Sequence, residues 1–205
     1  MASESTKEQL LRSALEAFAA KGYGDATVSE ICESAHANIA AVNYHFGNKE
    51  SLFQAALQRA FEIADDAYPI RAVAADTTPE DRLLTFMTAM ILRCFDQGPA
   101  GQFDRIMSHD ATRDDAPKWI IMEQIKTHGD YLDGTLSALL NTRSAMVLSQ
   151  AHADVIALCV FPSVVRGVGM MLFPEPPSPS ALRNYIDRQV AFAIAGLSAL
   201  SKLKK

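Results

Sequence analysis

Residues 27–52 read Thr27-Val28-Ser29-Glu30-Ile31-Cys32-Glu33-Ser34-Ala35-His36-Ala37-Asn38-Ile39-Ala40-Ala41-Val42-Asn43-Tyr44-His45-Phe46-Gly47-Asn48-Lys49-Glu50-Ser51-Leu52. Thr27 and Glu30 form a capping box ahead of Val28, Ile31 and Ala35, which predicts a helix of about two turns. Ala35-His36-Ala37-Asn38 is then a tight turn. Such a turn favours glycine at its left-handed position, and histidine is enriched among the other residues found there. Asn38 is placed to cap a second short helix from Ile39 to His45, ended by Phe46-Gly47, and Asn48 to cap a longer one. The longer helix carries Leu52, Phe53, Ala56, Leu57 and Ala60 on one face and stops just before Pro69. Two short helices joined by a brief turn are the layout that lets the second enter a DNA major groove.

The same periodicity extends in both directions. Upstream, Leu10, Leu11, Ala14, Leu15 and Phe18 mark one apolar helix face, opened by a Ser5/Glu8 capping box and closed by Gly22. Downstream, Thr78-Pro79 opens a helix carrying Leu83, Leu84, Met87, Met90, Ile91 and Phe95. A shorter helix over 102–109 precedes an acidic loop, Asp110 to Ala116, read as solvated. Pro117 opens a long helix with Ile120, Ile121, Ile125, Leu132, Leu136 and Leu139. An apolar helix over 150–173 contains Pro162, and Ser178 caps the last helix after a proline-rich linker. No strand alternation or internal repeat interrupts this. The expected fold is all-α, about nine helices by this periodicity count. An N-terminal three-helix helix-turn-helix domain (1–52) is joined by the fourth helix to a larger helical ligand-binding and dimerisation domain (53–205).

Composition narrows the function. With 49% hydrophobic and 21% charged residues among 205, the chain buries a sizeable core and is not a disordered protein. Nineteen Lys+Arg against 24 Asp+Glu leave −5, which excludes a polybasic nucleic-acid binder while permitting a small local DNA-binding face. Three widely spaced cysteines with no CxxC motif indicate neither a disulfide framework nor a zinc site, and fit a reducing cytoplasm. Met1 to Leu10 is polar and acidic, unlike a signal peptide, and 155–173 is too interrupted by Pro162, Arg166 and two glycines for a membrane span. A cytoplasmic protein without membrane partners is expected.

The run Val42-Asn43-Tyr44-His45-Phe46-Gly47-Asn48-Lys49-Glu50-Ser51-Leu52, with Thr27-Val28-Ser29-Glu30-Ile31, Ala35 and the preceding Lys21-Gly22-Tyr23, resembles the TetR family of transcriptional regulators. The form Ile39 to Gly47 looks most like its CecR-type subgroup. The resemblance implies that residues 39–45 are a recognition helix. Ile39, Ala40 and Ala41 on its first turn suit thymine methyl groups, and Asn43 suits adenine N6 and N7. Asn38, Tyr44, His45 and Lys49 suit phosphate contacts, with Thr27 and Ser29 adding hydroxyls from the supporting helix. The stretch departs from the family in its charge. Lys7, Arg12, Lys21 and Lys49 face Glu4, Glu8, Glu16, Asp25, Glu30, Glu33 and Glu50, a net −3 over residues 1–52, so nonspecific DNA affinity is expected to be poor.

Beyond residue 60 no catalytic constellation stands out, so no enzyme activity, cofactor or metal is expected. Met87, Met90, Ile91, Phe95, Phe103, Met107, Trp119 and Met122 form a soft, aromatic-rich set suited to a mostly apolar effector, with Arg105 and His128 to orient a polar group. The last two helices read as a partner surface. Val160, Val164, Gly167, Val168, Ala191, Ile194 and Ala195 combine apolar bulk with small residues, and the resemblance implies a homodimer paired through them. The expected function is a repressor that leaves a palindromic operator when a small apolar effector binds. The alternative is a helical small-molecule-binding protein or enzyme whose N-terminal bundle is purely structural.

Overall fold

In a computed structural model, the structure describes residues 5–71, 76–110, 113–114, 116–164 and 177–202, with backbone alone at 121–125, 127–128 and 162–164. Among these residues there are nine α-helices, one 3-10 turn and no strand, the all-helical architecture that the periodicity implies. The helices are α1 (Thr6–Asp25), α2 (Val28–Ser34), α3 (Ile39–Phe46), α4 (Lys49–Ala67) and α5 (Pro79–Phe95). After the 3-10 turn (Pro99–Gly101) come α6 (Gln102–Asp110), α7 (Lys118–Leu140), α8 (Ala145–Val164) and α9 (Pro179–Lys202). The start of α8 lies five residues ahead of the apolar run that marked it at residue 150. The half-exposed to exposed first turn around Met146 carries no amphipathic signature.

The caps read from the sequence are in place. Ser5 and Glu8 close the reciprocal box on α1, and Thr27 and Glu30 do so on α2. The Asn48 side chain accepts from Ser51 N at 2.8 Å, Thr78 from Asp81 N at 3.1 Å and Ser178 from Ala181 N at 3.2 Å. Each occupies a first-turn N–H that has no partner within its helix.

The chain forms two compact units. Unit 1 comprises Met1–Ala67 and Asp96–Gln124, and unit 2 Tyr68–Phe95 and Ile125–Lys205. In unit 1, α1 packs along both α4 and α6. Leu10, Ala14 and Phe18 of α1 meet Leu52, Phe53, Ala56 and Leu57 of α4 and Ile106 of α6 in a core from which Ile31 and Val42 hold α2 and α3. Each such fully buried large side chain contributes about 1.5–3 kcal/mol. The Phe18 and Phe53 rings meet edge to face at 5.0 Å, as do Phe61 and Phe103 at 5.5 Å.

Unit 2 is built by α5, α8 and α9 packed on one another, with most of α7. Its core takes Leu83, Met87 and Ile91 from α5, Leu132 and Leu136 from α7, Val155 and Cys159 from α8, and Ile186, Val190 and Leu197 from α9. Arg93 of α5 is buried, and its guanidinium donates Nε and Nη2 to Tyr68 O at 3.1 and 2.6 Å. That contact ties α5 to the segment following α4. His152 and Asp133 join α8 to α7 at 2.7 Å.

Candidate nucleic-acid interface

The turn between α2 and α3 is made as its residues require. Ala37 N donates to Cys32 O at 2.9 Å and His36 takes φ +50°, the left-handed position expected of it. Asn38 then caps α3, its Oδ1 accepting from Ala41 N at 2.9 Å. The side-chain oxygen of Asn38 is thus spent on the cap. Capping through Oδ1 leaves the Asn38 side-chain amide N–H groups, with the remaining first-turn backbone N–H groups, as donors to an anion.

Helix α3 has two distinct faces. Val42 is buried against the unit 1 core. Ile39 is 54% exposed, Tyr44 is 85% exposed, and Ala40 and Asn43 are exposed with them, while Ala41 and His45 are half-buried. An apolar side chain the size of Ile39 and a tyrosine, both turned to solvent beside one amide, form a small surface that water does not favour and a base edge would cover. Thr27 and Ser29 are exposed at the start of α2, and the Thr27 hydroxyl accepts from Glu30 N at 3.2 Å, a role that does not use its O–H.

The cations near this face make local contacts. Lys21 pairs with Glu30 at 2.8 Å. That lysine, and next the Thr27 N–H, hold the Glu30 carboxyl below its ordinary range. Lys49, the first residue of α4, lies with Nζ 4.4 Å from the centroid of the Tyr23 ring and 3.5 Å from Gly24 O.

Tyr23 contributes to the resemblance but has no role assigned to it from the sequence. It follows Gly22, whose φ of +76° breaks the helical backbone inside α1. The Tyr23 N–H donates to both oxygens of Asp110, each at 3.0 Å, and its ring meets Phe53 edge to face at 5.0 Å. Burial, then the nearby Glu50 charge, pushes its hydroxyl pKa up.

Asp110 corrects the reading of 110–116 as a solvated loop. It ends α6 and is fully buried, clasping the α1 break. Nearby, Arg113 pairs with Asp25 at 3.0 Å, and the exposed Trp119 donates Nε1 to Glu50 at 2.6 Å.

The residues expected to line an effector pocket divide between the units. In unit 2, Met87 and Ile91 are core, Met90 and Phe95 are half-buried, and Phe95 meets the Tyr185 ring at 6.1 Å. In unit 1, Phe103 is buried and Met107 half-buried, and Arg105 donates to Asp96 O and Gly98 O, both at 2.9 Å. Met122 and His128 lie outside the described side chains.

Of the expected interface residues, Ala191 and Ala195 are exposed and Val160 and Ile194 half-buried. Val164 falls outside the described side chains, and Gly167 and Val168 outside the described residues. Helices α8 and α9 frame a groove of about 900 Å³ whose walls include Leu158, Phe161, Phe192, Leu197 and Leu200. Phe192 is 69% exposed there, an unusual position for a phenylalanine. Among the described residues no single helix is long and apolar enough to cross a membrane.

Residues 10–56 match the family model of bacterial regulatory proteins, tetR family. Over nearly their whole lengths, the chain is also similar to several solved structures. One is a bacterial regulatory protein in the tetR family from Rhodococcus (22% identity, 95% of this chain and 98% of that one, TM-score 0.65). Another is the transcriptional regulator FadR from Bacillus subtilis in complex with stearoyl-CoA (17%, 92% and 97%, TM-score 0.65). A third is AibR in complex with isovaleryl coenzyme A and operator DNA (15%, 92% and 97%, TM-score 0.64). Residues 10–56 are thus similar to the N-terminal segment of bacterial regulatory proteins of the tetR family, and the chain as a whole shares its fold with solved transcriptional regulators.

Proposed function

We propose that this chain is a DNA-binding transcriptional repressor that works as a homodimer and leaves a palindromic operator when a small, largely apolar effector binds outside residues 1–52. The observation that carries the reading is α3. On a helix-turn-helix frame, Val42 anchors it to the core while Ile39, Ala40, Asn43 and Tyr44 face solvent. Those residue types fit thymine methyl groups, adenine and phosphate. Within the family, the Ile39 to Gly47 form supports membership of the CecR-type subgroup.

The dimer supplies what one protomer lacks. A single α3 in a stretch of net charge −3 offers too little for specific binding, whereas a two-fold pair sets two recognition helices about 34 Å apart, one DNA turn. The exposed Phe161 and Phe192, with the small Ala191, Ala195 and Gly196 on α9, support pairing through the α8–α9 face. Effector binding and operator binding are coupled reciprocally, so a ligand that releases DNA is itself bound more weakly by the DNA complex. Since two of the similar structures hold acyl-CoA thioesters, acyl-CoAs of graded chain length form the first effector panel.

The test is selection of duplexes from a random library by the purified chain, followed by gel shift of the enriched sequence. Enrichment of an inverted repeat, weakened by Asn43→Ala, is the expected result. No enrichment at low salt, with ligand binding intact, would establish the alternative of a small-molecule-binding protein or enzyme with a structural N-terminal bundle. Release of DNA by no member of the panel would overturn an acyl-CoA effector.

A further inference from the structure

Tyr23 lies where three elements meet. Its N–H is clamped by the buried Asp110 carboxylate at the end of α6, both oxygens at 3.0 Å. Its ring is fixed on one side by Phe53 of α4, centroids 5.0 Å apart, with Phe18 of α1 at 6.3 Å. Over that ring sits the Lys49 ammonium, 4.4 Å from the centroid, with Gly24 O at 3.5 Å. Backbone and ring are thus both held, and the lysine rests on a platform that does not move with it.

A lysine is a point charge on a flexible stem, and it loses rotamer freedom when it contacts a phosphate. An aromatic face attracts the ammonium electrostatically and draws the stem toward one direction before DNA arrives. Lys21 is tied to Glu30, so the cation at the start of α4 matters the more in a stretch whose net charge is −3.

Building on the DNA-binding reading above, we infer that Tyr23 is a positioning residue: its ring seats the Lys49 ammonium for a backbone phosphate, and Asp110 fixes the seat. Tyr23 itself touches no DNA in this arrangement. Its effect passes entirely through Lys49.

The measurement is the salt dependence of affinity for the duplex that the wild-type chain enriches. Each phosphate neutralised contributes about 0.9 to the slope of log K against log salt, so losing one contact per protomer lowers a dimer's slope by about 1.8. Across a fourfold rise in salt, the wild type should therefore lose about tenfold more affinity than a variant lacking the contact.

Tyr23→Leu and Lys49→Ala should each show this shallower slope. Tyr23→Phe, which keeps the ring, should keep the wild-type slope. Adding Tyr23→Leu to Lys49→Ala should change the slope no further. A slope for Tyr23→Leu equal to wild type, with only its melting temperature lowered, overturns the inference and leaves Tyr23 a packing residue. So does a Lys49→Ala variant with the wild-type slope. Failure of the wild-type chain to enrich any duplex overturns the DNA-binding reading itself, and this inference with it.

Discussion

Replacing Gly22 with alanine tests the clasp between α1 and α6 in two ways at once. The glycine adopts φ +76° and ψ 175°, a region essentially closed to other residues, and holding alanine there costs about 1–3 kcal/mol. The new methyl would also lie 2.7 Å from Asp110 Oδ1 and 2.9 Å from His109 Cβ. Both belong to the packed end of α6, so relief requires α6 to shift, adding about 1–3 kcal/mol of overpacking. Gly47 is the internal control. It has φ +84°, but a methyl added there would meet nothing within 4 Å, so Gly47→Ala carries backbone strain without the collision. Urea unfolding at 25 °C should therefore show Gly22→Ala losing about 2–6 kcal/mol and Gly47→Ala about 1–3 kcal/mol, with similar m-values. Combining Gly22→Ala with Asp110→Ala removes the closer obstacle, so the two losses should sum to less than additivity. Gly22→Ala no more costly than Gly47→Ala, or strictly additive with Asp110→Ala, would refute the packing of α6 against this turn.

Asp110→Ala alone leaves the Tyr23 N–H without its acceptor, and the loss should be about 1–3 kcal/mol in the same assay. Asn43→Ala should leave the unfolding midpoint unchanged, since the side chain is exposed, while weakening operator binding by about 1–3 kcal/mol per half-site in a gel shift. Thr27→Ala removes the hydroxyl acceptor of the α2 capping box and should destabilise by about 0.5–2 kcal/mol in urea. Burial raises the hydroxyl pKa values of Tyr23, Tyr131 and Tyr185, so the unfolded chain releases these protons first as pH rises. Stability contributed by the neutral phenols is complete below pH 10 and should fall above it, as urea midpoints taken on either side of that pH would show.

Much of this architecture was legible because it is local. Ser5, Thr27, Asn48, Thr78 and Ser178 announce helix starts through hydrogen bonds to residues three positions on, and a glycine-like turn at His36 follows from the caps around it. The outward face of α3 was legible too, since one buried residue, Val42, fixes which side points away. What escaped were contacts spanning long separations. Tyr23 meets Asp110 across 87 positions and Glu50 meets Trp119 across 69, and no periodicity links such pairs. Nor does periodicity tell that Met107 and Met90 belong to different compact units. Arg105, a candidate ligand anchor by residue type, is engaged by the carbonyls of Asp96 and Gly98.

Trp119 is the one tryptophan of the chain, and its indole bonds to the first turn of α4 from the first turn of α7. Its emission colour consequently reports on a single spot, one residue away from Lys49 through Glu50. A shift of the two helix starts against each other would change the indole's hydration and so its wavelength maximum. The chain thereby comes with an optical gauge already installed, and stopped-flow mixing with DNA or a test compound needs no dye.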